Sequence, residues 1–281
     1  MIGVLLLGLI GDNIAASRAP LLHRLAGQQN AVAVSYERLV PRDLGQSFDE
    51  VFASCAAEGF RGINVTYPYK ETAARKVRID DPLVCAIGAV NTVIFEDGGP
   101  VGYNTDHSGF MAAYRKVRGD AAPGTVLLIG TGGAGRAVAF GLAGLGARAL
   151  RLVDRDPARA EALADALRGA VPTLDVSVWP EAAAAADGAE GLVNCTPVGM
   201  VGHDGTPLDA GAMPGATWAF DAVYTPTDTR FLTDAAAAGL SIIPGWELFF
   251  FQGVQAWTLF SGLGLDEAGL RAVLLDAQDG G

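Results

Sequence analysis

Gly130, Gly132 and Gly135 form a G-x-G-x-x-G run directly after the apolar stretch 125–129 and at the start of an alanine-rich helical pattern. In such a run the first glycine permits a tight turn, the second lets backbone approach a pyrophosphate, and the third lets the helix pack closely on the strand. The free N–H groups of the helix N-terminus then face the negative charge. Gly133 and Ala134 keep the turn small. Asp154 ends the next apolar run, 19 residues after Gly135, where a carboxylate can accept hydrogen bonds from ribose hydroxyls. A glycine-rich turn with an incidental strand-end aspartate is the bland alternative, and the strand–turn–helix context argues against it. A dinucleotide is therefore the expected cofactor. Asp154 and Asp156 would repel a 2′-phosphate, whereas Arg155 and Arg159 could clamp one. Both choices stay open, with NAD preferred over NADP.

A second set of polar residues interrupts apolar runs in the first half. Residues 63–71 carry Asn64, Thr66 and Lys70; residues 88–93 carry Asn91; residues 102–110 carry Asn104, Thr105 and Asp106. Polar groups at strand ends are where ligands collect in open α/β sheets. Taken singly, Lys70 also reads as a solvated lysine and Asp106 as a helix cap. Neither histidine nor cysteine adds a site. His23, His107 and His203 lack metal-ligand spacing, so no metal is expected. Cys55, Cys85 and Cys195 are odd in number and widely spaced, which fits no disulfide framework and points to a reducing, cytoplasmic setting.

The elements that must position these residues are legible as alternating patterns. Strands are expected at 4–11, 31–39, 62–68 and, as a hairpin around a Gly-rich turn, within 89–104, with helices between and a helix from 108. From 125 onward the alternation is more regular, and it predicts a parallel sheet with helices on both faces. An alanine-rich helix is expected within 181–190. A long apolar helical segment, 245–264, and a last helix, 266–277, close the chain.

Bulk properties set the bounds. The chain has 281 residues, half of them hydrophobic and 18% charged, enough for two modest domains or one large one. The net charge of −11 makes nucleic acid an unfavourable partner. The apolar start is short, has no basic leader and stops at Asp12 and Asn13, so it predicts a strand and no membrane segment.

Several runs in one order carry a resemblance. They are "GLIGDNIAASRAPLLH", the N-V-T-x-P-x-K run, the V-N-T and N-T-D runs, the glycine loop, "VNCTPVGM" and the glutamine of "FFFQG". The chain resembles the shikimate dehydrogenase family over nearly its whole length, and within it the quinate/shikimate dehydrogenase branch. The resemblance implies an α/β protein with two domains. A substrate-binding and catalytic domain would cover 1–107, completed by 245–281 as the last helices return. A Rossmann-type doubly wound parallel sheet would cover 108–244. The activity implied is NAD(P)-dependent hydride transfer between nicotinamide and a ring secondary alcohol of a shikimate- or quinate-like acid, as in aromatic amino acid biosynthesis or quinate catabolism. Lys70 and Asp106 carry over as the catalytic pair. Ser17, Thr66, Asn91, Tyr224 and Gln252 carry over as substrate contacts, and Thr196 and Met200 join the cofactor residues. The partner implied is a small ring acid, with the chain a monomer or homodimer.

The chemistry needs a proton carrier. Oxidising an alcohol removes a hydride and a proton, and the protein must move the proton. Desolvation would favour neutral Lys70 and a nearby Asp106 would favour the ammonium, so the two are expected to act as a coupled pair. One departure concerns the substrate. The family's usual pair of serines flanking a variable residue is here "SRAP", with Ser17 kept and Ala19 in the second place. A missing hydroxyl leaves a carboxylate one donor short, and Arg18 compensates only if it turns inward. Shikimate, quinate or an amino-substituted analogue all stay open, as does a non-catalytic sensor on the same fold.

Overall fold

The computed structural model describes residues 4–279. Met1–Gly3 and the last two residues, included in the expected substrate domain, lie outside the described residues. The chain divides into two compact units, one built from the residues up to Thr105 together with those from Gln252 onward, the other from Asp106–Phe251.

The first unit starts with β1 (Leu5–Ile10), α1 (Ala19–Gln29), β2 (Val34–Leu39), α2 (Pro41–Leu44), α3 (Phe48–Ala57) and β3 (Gly62–Val65). It continues with α4 (Lys70–Ala74), α5 (Pro82–Ile87), β4 (Thr92–Glu96) and β5 (Gly99–Tyr103). Among the described residues these strands form a five-stranded sheet in the order β2-β1-β3-β4-β5. β1, β2 and β3 run parallel, while β4 and β5 are the expected hairpin, antiparallel to β3 and to each other. The sheet is therefore mixed.

β2 starts later than expected because Ala31 takes a left-handed φ of 53° and the Val32 N–H returns to the Gly27 carbonyl, closing α1. β3 stops at Val65, before the expected Pro68. The Tyr69 N–H closes a turn on the Thr66 carbonyl, and Pro68 has no N–H for a ladder. Three short helices escaped the periodicity: α2, α4 and α5. Asp81 caps α5 by accepting from the Leu83 N–H.

The second unit is introduced by α6 (Thr105–Arg118), which begins three residues before its expected start. There follow β6 (Thr125–Ile129), α7 (Gly133–Gly144), β7 (Ala149–Val153), α8 (Pro157–Ala170), β8 (Asp175–Val178), α9 (Ala182–Ala186) and β9 (Gly191–Asn194). Then come β10 (Trp218–Asp221), α10 (Arg230–Ala237) and β11 (Ser241–Ile243). The strand order is β11-β10-β9-β6-β7-β8, all parallel, which is the doubly wound dinucleotide-binding order with its switch point between β6 and β9. β6, β9 and β10 are buried at every residue, as strands covered on both faces must be. Each buried Leu, Ile or Phe there contributes roughly 1.5–3 kcal/mol relative to exposure. The alanine-rich helix is only α9, cut short before Gly188, whose φ of 68° suits no other residue well.

α11 (Gly245–Ser261) and α12 (Glu267–Asp279) end the chain. From Gln252 onward they belong to the first unit, and α12 packs on α1. The returning last helices are thus present.

Candidate functional site

The second unit builds its site at the carboxyl ends of β6, β7, β9 and β10. Gly130 has a φ of 92°, and a Cβ there would sit 2.8 Å from the Cys195 main chain and from Thr196 Cγ2. It is the tight turn that joins the two sides of the switch point. A Cβ on Gly135 would lie 1.9 Å from the Gly130 carbonyl, so only glycine lets α7 seat against the turn. Gly132 is different. A Cβ on it would meet only Arg159 Nη2, at 3.5 Å, an ordinary contact. Among the described residues nothing forbids a side chain at Gly132, and its backbone is left open to the approach of a group such as a pyrophosphate. Gly133 and Ala134 open α7 behind it. This cradle fits a pyrophosphate.

Asp154 is tied into the same turn. Its Oδ2 accepts from the Thr131 N–H at 2.7 Å and the Thr131 hydroxyl at 2.8 Å, and its Oδ1 accepts from the Asp156 N–H at 3.0 Å. Partial burial works against its charge, but these bonds and the nearby Arg159 outweigh it and hold the carboxyl below its usual range. The acidic residue read from the sequence thus shapes the glycine turn. Arg155 and Arg159 are exposed.

Thr196 lies on the loop after β9, with its N–H and hydroxyl donating to Asn194 Oδ1 at 2.9 and 2.7 Å. Met200 is half-buried further along that loop. Tyr224 follows β10 and stacks on Phe249, with ring centroids 4.8 Å apart. Trp246, Phe249 and Phe250 are buried, so the aromatic run opening α11 is packing.

The first unit gathers amides and hydroxyls at the ends of β1, β3 and β4. Asn91 stands at the centre. Its Oδ1 accepts from the Thr105 N–H at 2.7 Å, and its Nδ2 donates to Thr105 Oγ1 at 2.9 Å and to Gln252 Oε1 at 3.3 Å. Gln252 opens the part of α11 that returns to this unit, so one side chain links the hairpin to the returning helix. Asn64 lies behind. Its Nδ2 donates to the Asn91 carbonyl at 3.3 Å and to Thr92 Oγ1 at 3.1 Å, and its Oδ1 accepts from the Tyr36 hydroxyl at 2.8 Å.

Tyr36 stacks on His23 at 5.0 Å. His23 is buried, and burial drives its pKa down to about 3, so it is a neutral imidazole at ordinary pH. His23, Tyr36, Asn64 and Thr92 form a supporting layer that the sequence does not mark as one.

Thr66 and Lys70 lie on the segment after β3. The Thr66 N–H extends the ladder to the Ile10 carbonyl, and a Cβ on Gly11 would lie 2.2 Å from Thr66 Cγ2, so the end of β1 closes over it. Lys70 opens α4 half-buried, and its carbonyl accepts from the Val90 N–H at 3.0 Å, one residue before Asn91. Asp106 is buried in the first turn of α6.

Ser17 is buried; its Oγ accepts from the Ala19 N–H at 3.3 Å and its carbonyl accepts from Arg38 at 2.7 Å. Arg18 donates to the Leu274 carbonyl on α12 at 2.9 Å, which ties the start of α1 to the last helix. Among the described residues no cluster of His, Cys, Asp or Glu is arranged to hold a metal ion, and no helix is long and apolar enough to cross a membrane.

A doubly wound sheet with a pyrophosphate turn, joined in one chain to a mixed-sheet unit lined with amides and hydroxyls, defines a dinucleotide-binding α/β protein with a second ligand-binding unit. Residues 9–93 match the profile of the shikimate dehydrogenase substrate binding domain. The quinate/shikimate dehydrogenase (NAD(+)) of Corynebacterium efficiens is 40% identical over 96% of this chain and 98% of its own length. The shikimate dehydrogenase (NADP(+)) of Pseudarthrobacter chlorophenolicus is 37% identical over 96% of this chain and 94% of its own. The quinate dehydrogenase of Corynebacterium glutamicum, solved in complex with NAD, superposes with a TM-score of 0.86 at 34% identity, covering 97% of this chain and 99% of that one. The chain belongs to the shikimate dehydrogenase family.

Proposed function

We infer that the protein is an NAD(P)-dependent oxidoreductase that transfers a hydride between nicotinamide and a ring secondary alcohol of a shikimate- or quinate-like acid. The observation that carries this is similarity across both units at once, to relatives named for that reaction. The glycine turn, Asp154, Arg155, Arg159, Thr196 and Met200 hold the dinucleotide. NAD is the preferred form, since a 2′-phosphate beside Asp154 and Asp156 would be repelled. Ser17, Thr66, Asn91 and Gln252 of the first unit and Tyr224 of the second bind the ring acid.

A nicotinamide dinucleotide held by these residues would supply the hydride chemistry. Lys70 and Asp106 handle the proton of the alcohol. Asn91 sets the backbone around both. The residue before it binds the Lys70 carbonyl, and its own Oδ1 holds the N–H of Thr105, the residue before Asp106. The amides and hydroxyls of Asn91, Thr66 and Gln252 orient the ring hydroxyls, because each offers direction without adding charge. The protein works in the cytoplasm as a monomer or homodimer, which light scattering on the purified chain decides.

The direct test measures nicotinamide reduction spectrophotometrically with shikimate, quinate and amino-substituted analogues, each with NAD and NADP. Turnover with a ring acid and a higher kcat/KM for NAD is the expected result. Binding of dinucleotide without turnover on any of them would favour a metabolite sensor.

A further inference from the structure

We propose that Asp221 is a positioning residue that sets the two loops carrying Thr196–Met200 and Tyr224, and so fixes how the nicotinamide end of the dinucleotide is held. It rests on the dinucleotide reading above and concerns a residue outside the ligand-contacting set. Asp221 ends β10 with its side chain entirely buried. Its Oδ1 accepts from Asn194 Nδ2 at 2.9 Å and from the Val223 N–H at 2.9 Å, and its Oδ2 accepts from the Thr229 hydroxyl at 2.6 Å.

Each donor leads to a different piece of the site. Asn194 ends β9, and the same Nδ2 donates to the Val198 carbonyl at 3.1 Å while its Oδ1 holds Thr196. Val223 precedes Tyr224. Thr229 caps α10 by accepting from the Leu232 N–H, and it stands where a Cβ on Gly199 would meet it at 3.5 Å. The two loops also touch directly, the Val201 N–H donating to the Thr225 carbonyl. One carboxylate is thus the common acceptor of three segments that a parallel sheet alone would leave to find their own places. Burying a carboxylate among neutral donors is costly, and burial raises its pKa to about 6. A residue there only to fill space would be apolar.

The adenylate end of the ligand is held by the glycine turn and Asp154, outside this network. The role therefore predicts a split. Full-length Asp221→Asn, Thr229→Val and Thr229→Ser proteins are compared with wild type by calorimetric titration of ADP-ribose and of NAD, by kcat with the best ring acid, and by thermal unfolding. The expected result is that Asp221→Asn and Thr229→Val keep ADP-ribose affinity within about 2-fold, lose relative affinity for NAD, and lower kcat at least about 10-fold, as misplacement of a reacting group does. Thr229→Ser, which keeps the hydroxyl, restores both.

A merely structural role would lower the unfolding temperature and leave the folded variants with normal kcat and a normal ratio of NAD to ADP-ribose affinity; that outcome overturns the proposal. Should Asp221→Asn fail to fold, the Val and Ser variants of Thr229 decide the same question. A wild type that binds ADP-ribose and NAD but turns over no ring acid removes the substrate assignment, and the affinity ratio still decides for or against Asp221. A wild type that binds neither overturns both.

Discussion

The two units solve one problem, holding a polar ligand at the ends of buried strands, with opposite chemistry. The second unit organises its loops with carboxylates: Asp154 gathers the glycine turn, and Asp221 gathers the loops after β9 and β10. The first unit uses neutral groups. Asn64, Asn91, Thr92, Thr105 and Gln252 bond one another, and the histidine behind them is neutral. An acceptor-only carboxylate suits a site made of backbone N–H groups and hydroxyls, because it takes several donors at once. An amide both donates and accepts, so it can be chained. Chained amides around Asn91 would orient hydroxyls in either sense without repelling an anionic ring acid, as further carboxylates would.

The comparison breaks most visibly at Lys70. If Lys70 carries the proton and the second unit holds the hydride acceptor, Lys70→Ala should lower kcat at least about 100-fold and leave dinucleotide affinity intact. Steady-state kinetics with a separate NAD titration checks this. Near-normal turnover would take Lys70 out of the mechanism, and a parallel loss of NAD affinity would mean that the division of labour is wrong.

How much of this is legible in sequence follows from how far apart the partners lie. Gly130, Gly132, Gly135 and Asp154 sit within one strand–helix–strand unit, so local spacing suffices to find them. Asn91 stands out as a polar residue beside apolar strands. Its supporting layer does not. Tyr36 reads as an ordinary strand residue, and His23 invites only the question of metal binding; their convergence on Asn64 requires β1, β2 and β3 to be side by side. Asp221 sits inconspicuously in an apolar strand because Asn194 reaches it only once β9 and β10 pair, and Thr229 only once the loop before α10 folds back. The resemblance supplies the pairing of distant runs that periodicity cannot. The short helices α2, α4 and α5 escape because fewer than two turns give no readable period.

The glycine turn offers a sharper and smaller contrast. Gly135→Ala collides with the Gly130 carbonyl and should cost about 1–3 kcal/mol of stability, with dinucleotide binding lost alongside. Gly132→Ala meets only the tip of a flexible arginine. It should leave thermal unfolding unchanged and weaken NAD by about 10-fold, roughly 1.4 kcal/mol. Unfolding curves and NAD titrations on the two variants separate a glycine kept for the fold from one kept for the ligand. Equal losses of stability in both would remove the argument that Gly132 answers to something outside the chain.

The last contrast lies in pH, and there the two units should show opposite signs. His23 has its folded pKa depressed from 6.5 to about 3 by burial, against the raising effect of the Asn64 hydrogen bond. Its contribution to stability is fully present above 6.5 and is lost as pH falls toward 3, because the unfolded chain then binds a proton that the folded chain refuses. Asp221 has its folded pKa raised from 3.8 to about 6 by burial, although Thr229, Val223 and Asn194 pull the other way. Its contribution is present below 3.8 and is lost as pH rises through about 6.

Between those bounds the two slopes oppose each other, so wild type hides both. His23→Phe keeps a ring against Tyr36, Trp257 and Phe260 and removes the titration. Its disadvantage in Tm relative to wild type should be largest near pH 7 and shrink steadily toward pH 4, by a few degrees for about each 1 kcal/mol. Asp221→Asn should show the mirror image, its Tm improving relative to wild type as pH rises from 4 to 7. Unfolding scans at half-unit pH steps give both difference curves. A His23→Phe curve parallel to wild type would mean that the imidazole is not held neutral in the core, and two difference curves of the same sign would dissolve the contrast between an amide-built and a carboxylate-built site.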